Sequence, residues 1–113
     1  MATRYYIAIP DTDKARAAGA FAFRSQGAES MAQELQDALR TTSLFERWRG
    51  AQDDPDEVDP ALGVTDPAAT VEGRQDDLHI DLIVVTSIPG TVFKQRLRLL
   101  AGSAWELRDV SAA

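Results

Sequence analysis

The stretch from Leu78 to Val110 constrains the fold more than any other part of this 113-residue chain. Leu78, Ile80, Leu82, Val84 and Ile88 alternate with His79, Asp81, Ile83, Val85 and Ser87, and a period of two predicts a strand. Pro89-Gly90 ends the run. Thr91 then stands where a cap belongs, before a helix with Val92, Phe93, Leu97 and Leu100 on one side and Gly102 as its stop. Trp105 and Leu107 resume the alternation. Strand, helix and strand within about thirty residues make a βαβ unit.

Upstream, Arg4 to Ile9 reads as a strand with Tyr5, Ile7 and Ile9 on one face, closed by Pro10-Asp11. Ala20 to Gln26 reads as a second strand with Phe21 and Phe23 facing one way, and Gly27 permits the turn out of it. Met31, Leu35, Ala38 and Leu39 at helical spacing predict a helix over Ala28–Arg40. Ser43-Leu44-Phe45-Glu46 has capping-box spacing and predicts a short second helix to Arg49, anchored by Phe45 and Trp48. Thr70 to Gln75 is a weak strand that Asp76-Asp77 turns back into the strong one. A two-residue turn there sets Val71 opposite Leu82, Gly73 opposite Ile80 and Gln75 opposite Leu78, with Glu72 facing Asp81 and Arg74 facing His79 on the other side.

The expected fold is therefore an α+β two-layer sandwich. It has a ferredoxin-like βαββαβ pattern with an extra N-terminal strand, in a mainly antiparallel sheet with two main helices on one face. The first strand of that pattern sits centrally, so the extra strand must either insert or change the strand order. Residues 1–113 are expected to form one domain with a long acidic loop at 52–69. A chain of this length buries roughly 65% of its unfolded surface, enough for one core.

Composition narrows the function classes. There is no cysteine, which excludes disulfides, iron–sulfur clusters, thiolate zinc and thiol catalysis. The net charge of −6 argues against nucleic acid as the main partner, because phosphate binding needs a positive surface. Met1 to Tyr6 shows no signal-peptide pattern, and no stretch approaches the ~18 apolar residues of a membrane span. A soluble cytoplasmic protein with no membrane partner is expected.

Charge is unevenly spread. Between Arg49 and Arg74 there is no basic residue, yet Asp53, Asp54, Asp56, Glu57, Asp59, Asp66 and Glu72 fall there. Pro55, Pro60 and Pro67 each follow an aspartate, which favours local turns over helix. A structureless loop this long is usually functional or mobile. Asp53-Asp54, Asp56-Glu57 and Asp76-Asp77 are the paired carboxylates that a hard cation would need, but they lack the order of a calcium loop and read as solvated charge. Lys94, Arg96 and Arg98 read as the wet side of an amphipathic helix.

His79 is the only histidine. With Asp81 on the same strand face and Arg74 opposite, it forms a weak polar cluster, the one place for acid–base chemistry. The plainer assignment, a solvent-facing pair on a half-wet strand, is favoured. Ile83 and Val85 continue that face and are apolar, so a partner, a loop or a ligand is expected over them. Pro89-Gly90-Thr91 and Gly27 precede helices but lack phosphate-loop spacing.

The expected function is a non-enzymatic protein-binding or adaptor domain acting through protein–protein contact, with a homodimer as one form. The interaction candidates are Trp48, Asp53, Asp54, Asp56, Glu57 and Asp59 at the loop, and Ile83 and Val85 on the sheet. No catalytic residue, metal or cofactor is assigned. The alternatives are a small-ligand regulatory domain, using backbone donors at the Gly27 and Pro89-Gly90 turns, and an enzyme built on His79.

Overall fold

A computed structural model describes residues 2–113. The chain runs β1 (Thr3–Ile9), α1 (Thr12–Arg16), α2 (Ala28–Arg40), α3 (Ser43–Gly50), β2 (Thr70–Asp76), β3 (His79–Thr86), α4 (Gly90–Ala101) and β4 (Glu106–Ala112), with 3-10 turns at Pro55–Glu57 and Pro60–Gly63 between α3 and β2. The fold is α+β. Its four strands form one antiparallel sheet in the order β2-β3-β1-β4.

The core follows from the period-two pattern. Ile80, Leu82, Val84 and Thr86 alternate as buried positions along β3, next to Tyr5, Ile7 and Ile9 of β1. Met31, Leu35 and Leu39 of α2 and Phe93, Leu97 and Leu100 of α4 close over that face. The Tyr5 ring stacks on Phe93 with centroids 4.4 Å apart. α2 starts and ends where its apolar spacing predicts. Gly27 caps it through backbone alone, its carbonyl accepting from Met31 N–H. The helix comes so close to β2 that a Cβ on Gly73 would stand 2.1 Å from the Ala28 carbonyl oxygen. α4 stops at Gly102, whose φ of 60° suits a residue without a side chain.

Four expectations are corrected. Residues 20–26 form no strand. Both edges of β1 are already taken by β3 and β4, so no ladder position remains beside it. The segment is held instead by Phe23 N–H donating to the Leu100 carbonyl at 2.8 Å and by the Glu34 carboxylate, which accepts from the Arg24 and Ser25 N–H groups. Phe23 is buried all the same. β1 is then the first strand of the chain among the described residues, and three helices, not a second strand and one helix, separate it from the next strand, β2, apart from the two 3-10 turns.

The β2–β3 register is shifted by two. Val71 pairs with Val84, Gly73 with Leu82, Arg74 with Asp81 and Asp76 with His79. A shift of two preserves both faces, which is why the burial pattern is as expected. The turn is Asp77-Leu78, with Asp77 at φ 56°, a conformation that aspartate tolerates. Leu78 therefore sits at the hairpin tip, 83% exposed, rather than in the core. At α3 and α4 neither Ser43 nor Thr91 makes the expected cap: both helices begin without a side-chain capping bond, after Thr42 and Pro89.

The fourth correction is Arg96, which is 1% exposed and not on the wet side. Its guanidinium donates to the carbonyls of Ala38 (3.2 Å), Leu62 (2.8 Å) and Val64. It thus ties α4 to the end of α2 and to the acidic segment. Burial away from water lowers its pKa.

Candidate functional site: the uncovered face of the sheet

Strand alternation sends half of each strand's side chains away from the helices. On that reverse face the cross-strand partners form rows. Thr70, Val85, Arg4 and Ser111 make the first, and Glu72, Ile83, Tyr6 and Asp109 the second. Arg74, Asp81, Ala8 and Glu106 make the third, and Asp76 and His79 the fourth. The middle is apolar, with Tyr6, Ile83 and Val85 half-buried against one another's strands, and the rim is charged. A bulge in β4 places Arg108 between the partners of Tyr6 and Ile7. Arg108 pairs with Glu106 at 3.0 Å. Tyr6, Ile83, Asp81, Arg74 and Arg108 border a shallow hollow of about 290 Å³.

His79 stands at the hairpin end of this face. Its Nε2 lies 3.3 Å from Asp81 Oδ1 and 3.8 Å from Asp76 Oδ2. Arg74 is the cross-strand partner of Asp81, not of His79, so of the expected Arg74–His79–Asp81 group the side chains of His79 and Asp81 meet, while Arg74 is tied to Asp81 by strand register alone. Asp76 joins His79 and Asp81. A two-residue turn at Asp76-Asp77 would leave Asp76 outside the ladder; with the register moved by two, it is the residue opposite His79. Gln75 braces the turn, its Nε2 donating to the carbonyls of Asp77 (3.0 Å) and His79 (3.1 Å).

The loop candidates lie elsewhere. Asp53, Asp54, Asp56, Glu57 and Asp59 are exposed, but the segment that carries them is fastened at many points. Arg49 donates to the Pro55 carbonyl at 3.1 Å and lies 3.6 Å from the Asp56 carboxylate. Asp59 accepts from Ala61 N–H, and Arg40 donates to the Ala69 carbonyl at 2.7 Å. Trp48 is half-buried, its ring 6.1 Å from that of Phe45.

Asp66, counted with the loop's acidic residues, is buried and structural. It accepts from Thr86 Oγ1 and Ser87 N–H at 2.9 Å and from Ala68 N–H at 3.0 Å. The Ser87 N–H above all holds its carboxyl below the ordinary value. Burial opposes that shift, and the Thr86 hydroxyl and Ala68 N–H assist it. These ties fix the loop to α2, α3, α4 and the end of β3, in the helix layer. Ile83 and Val85 face the opposite way, so the two groups of candidates do not make one site. Arg96 is also unavailable to a partner, which leaves Lys94 and Arg98 as the accessible cations of α4 from the expected three.

Among the described residues no helix is long and apolar enough to cross a membrane. No protein-family model, no curated protein and no solved structure matches the chain.

Proposed function

We propose that this protein is a non-enzymatic protein-binding domain, and that it self-associates through the uncovered face of its sheet. One observation carries the proposal. The face bearing Ile80, Leu82 and Val84 lies under α2 and α4, while the face bearing Tyr6, Ile83 and Val85 has no layer on it among the described residues. Sheets that pack face to face bury such alternating apolar residues and leave charges at the rim. The chain order of one strand, three helices, two strands, a helix and a strand and the split pairing, with β3 between β1 and β2 and β1 between β3 and β4, support a ferredoxin-like arrangement. That arrangement leaves one sheet face free by construction. It carries no function by itself.

A second copy suits the rim charges. One charged row of the edge strands is complementary, Arg74 on β2 sharing its row with Glu106 on β4, while Glu72 shares its row with Asp109, one residue from the Arg108 bulge. A two-fold axis lying between the faces, parallel to the strands, sets β2 over β4 of the second copy. Arg74 then meets Glu106 and Ile83 lies over Tyr6, while Glu72 comes over Asp109 with the Arg108 bulge one residue away. Such an isologous contact repeats each pair twice.

Sedimentation equilibrium tests this. The wild type is expected to show a reversible dimer below about 1 mM, the range in which contacts worth about 4 kcal/mol appear. Ile83→Asp is expected to abolish it and Arg74→Glu to weaken it, with Glu106→Arg restoring the Arg74→Glu variant. A wild type that stays monomeric throughout, or an Ile83→Asp variant that dimerises as well as it, refutes the proposal.

A second reading, a small-ligand regulatory domain, draws on the hollow between Arg74 and Arg108, whose size is near the lower bound for ligand pockets. Thermal-shift screening with aromatic and aliphatic carboxylates tests it. A shift that Arg74→Ala removes favours it, and no shift with any compound counts against it.

A further inference from the structure

We infer that Asp76, His79 and Asp81 form a binding site for a first-row divalent metal ion of the zinc class, at the β2–β3 hairpin end of the uncovered face. Each side chain offers one ligand atom, and these atoms all lie within 4.8 Å of one another. A tetrahedral zinc bound at about 2.0–2.2 Å holds its ligand atoms roughly 3.3–3.6 Å apart. The imidazole Nε2 stands 3.3 Å from one carboxylate oxygen and 3.8 Å from the other. The two imidazole–carboxylate distances need an adjustment of a few tenths of an ångström, and the two carboxylates, within 4.8 Å of each other, need to close by about 1 Å at most, within the reach of side-chain torsions.

The donor set selects the ion. One imidazole with two carboxylates suits zinc and its neighbours, whereas calcium takes six to eight oxygens and magnesium binds mainly oxygen. Three protein ligands leave a fourth position, which water fills, and the half-exposed His79 and Asp81 leave it open to solvent.

The backbone holds the ligands in place before any ion arrives. Asp76 and His79 are paired residues of adjacent strands, Asp81 is the next residue on the same face, and Gln75 clamps the turn between them through the Asp77 and His79 carbonyls. Asp77 adds a further negative charge beside the site, and Arg74 supplies the one cation paired across from Asp81. The ion would thus bridge β2 and β3 across their turn and stabilise the hairpin by mass action. This is independent of self-association, because the triad lies at the end of the face and is complete within one copy.

The test uses zinc chloride alone with the full chain. Isothermal titration calorimetry is expected to show saturable one-to-one binding. His79→Ala is expected to weaken it at least about 100-fold, and Asp76→Asn and Asp81→Asn each at least about tenfold, at or above the losses seen when a ligand's supporting groups are removed. A triple variant with Asp53, Asp54 and Asp56 changed to Asn is expected to bind as the wild type does. Nitrogen-15 spectra of the wild-type imidazole give a readout free of mutation, with the Nε2 resonance moving on zinc addition. Absence of saturable binding, an unmoved Nε2 resonance, or binding that survives His79→Ala overturns the inference.

Discussion

Replacing Arg96 with methionine tests the packing account most sharply, because the structure and the residue's chemistry pull in opposite directions. Methionine keeps the length and apolar stem of the side chain and removes the guanidinium. Three charge-assisted hydrogen bonds, to Ala38, Leu62 and Val64, are lost. At about 1.5–3 kcal/mol each they would total roughly 4–9 kcal/mol. The substitution also removes the penalty of burying a cation, several kcal/mol for a group this enclosed. Arg96 has no carboxylate within ion-pair distance among the described residues, and its Nε has no partner at all. The Leu62 and Val64 carbonyls lie on the loop side, in part-buried bonds, and regain water if the loop lifts. The Ala38 carbonyl does not.

The net expectation is a loss of about 2–4 kcal/mol, dominated by stranded acceptors. Urea unfolding followed by circular dichroism measures it, with an unchanged slope showing that the unfolded state is unaltered. The thermal midpoint should fall by roughly 10–15 °C. Arg96→Lys, which keeps the charge but presents a single point donor, should lose about half as much. Hydrogen exchange should quicken at Leu62 to Asp66 before it does in α4. A methionine variant as stable as the wild type, or more so, would show that the buried cation is a net burden and that the loop is held by its other ties.

Two further substitutions test separate parts of the account. Asp66 has a folded pKa below its unfolded value of about 3.9, so its contribution is complete above that value and disappears as pH falls through the lower folded pKa. Wild-type stability should therefore drop between about pH 4 and the acid limit. Asp66→Asn should flatten that drop in a urea series at several pH values, while losing about 1–3 kcal/mol at neutral pH because its amide cannot accept from both the Ser87 and Ala68 N–H groups. Gly73→Ala should cost at least about 1–3 kcal/mol in the same assay, since its Cβ meets the Ala28 carbonyl and α2 must move off the sheet. An alanine variant of wild-type stability would mean that the close approach of α2 to β2 is not required.

What the sequence made legible, and what it hid, follows from how local each signal was. α2 runs over Ala28–Arg40 as its spacing predicts, because four apolar residues at helical intervals and glycine before them are all local facts. β3 and its two faces are legible for the same reason. The alternation of Phe21 and Phe23 is equally local, yet no strand forms there. Whether a ladder position is vacant depends on β4, nearly ninety residues downstream. The hairpin register hides behind a step of two, to which the burial pattern is blind, and that step is what separates Asp76 as a turn residue from Asp76 as the partner of His79. Arg96 was legible in principle. It lies four residues after Val92 and four before Leu100, in the middle of the buried stripe, so its position points inward while its charge points to solvent. The split of the candidates between the two layers was not legible, because Asp66 and Arg96 anchor the loop through contacts with residues 20 or more positions away.

The most direct measurement of the central claim, that the free sheet face meets a second copy, is the accessibility of its methyl groups in solution. Methyl-labelled protein is titrated from dilute to concentrated in the presence of a soluble gadolinium chelate. Ile83 and Val85 should be broadened in the dilute sample and progressively shielded as concentration rises, while Leu78 at the hairpin tip stays broadened throughout. Equal broadening of Ile83 and Val85 at every concentration would contradict the account.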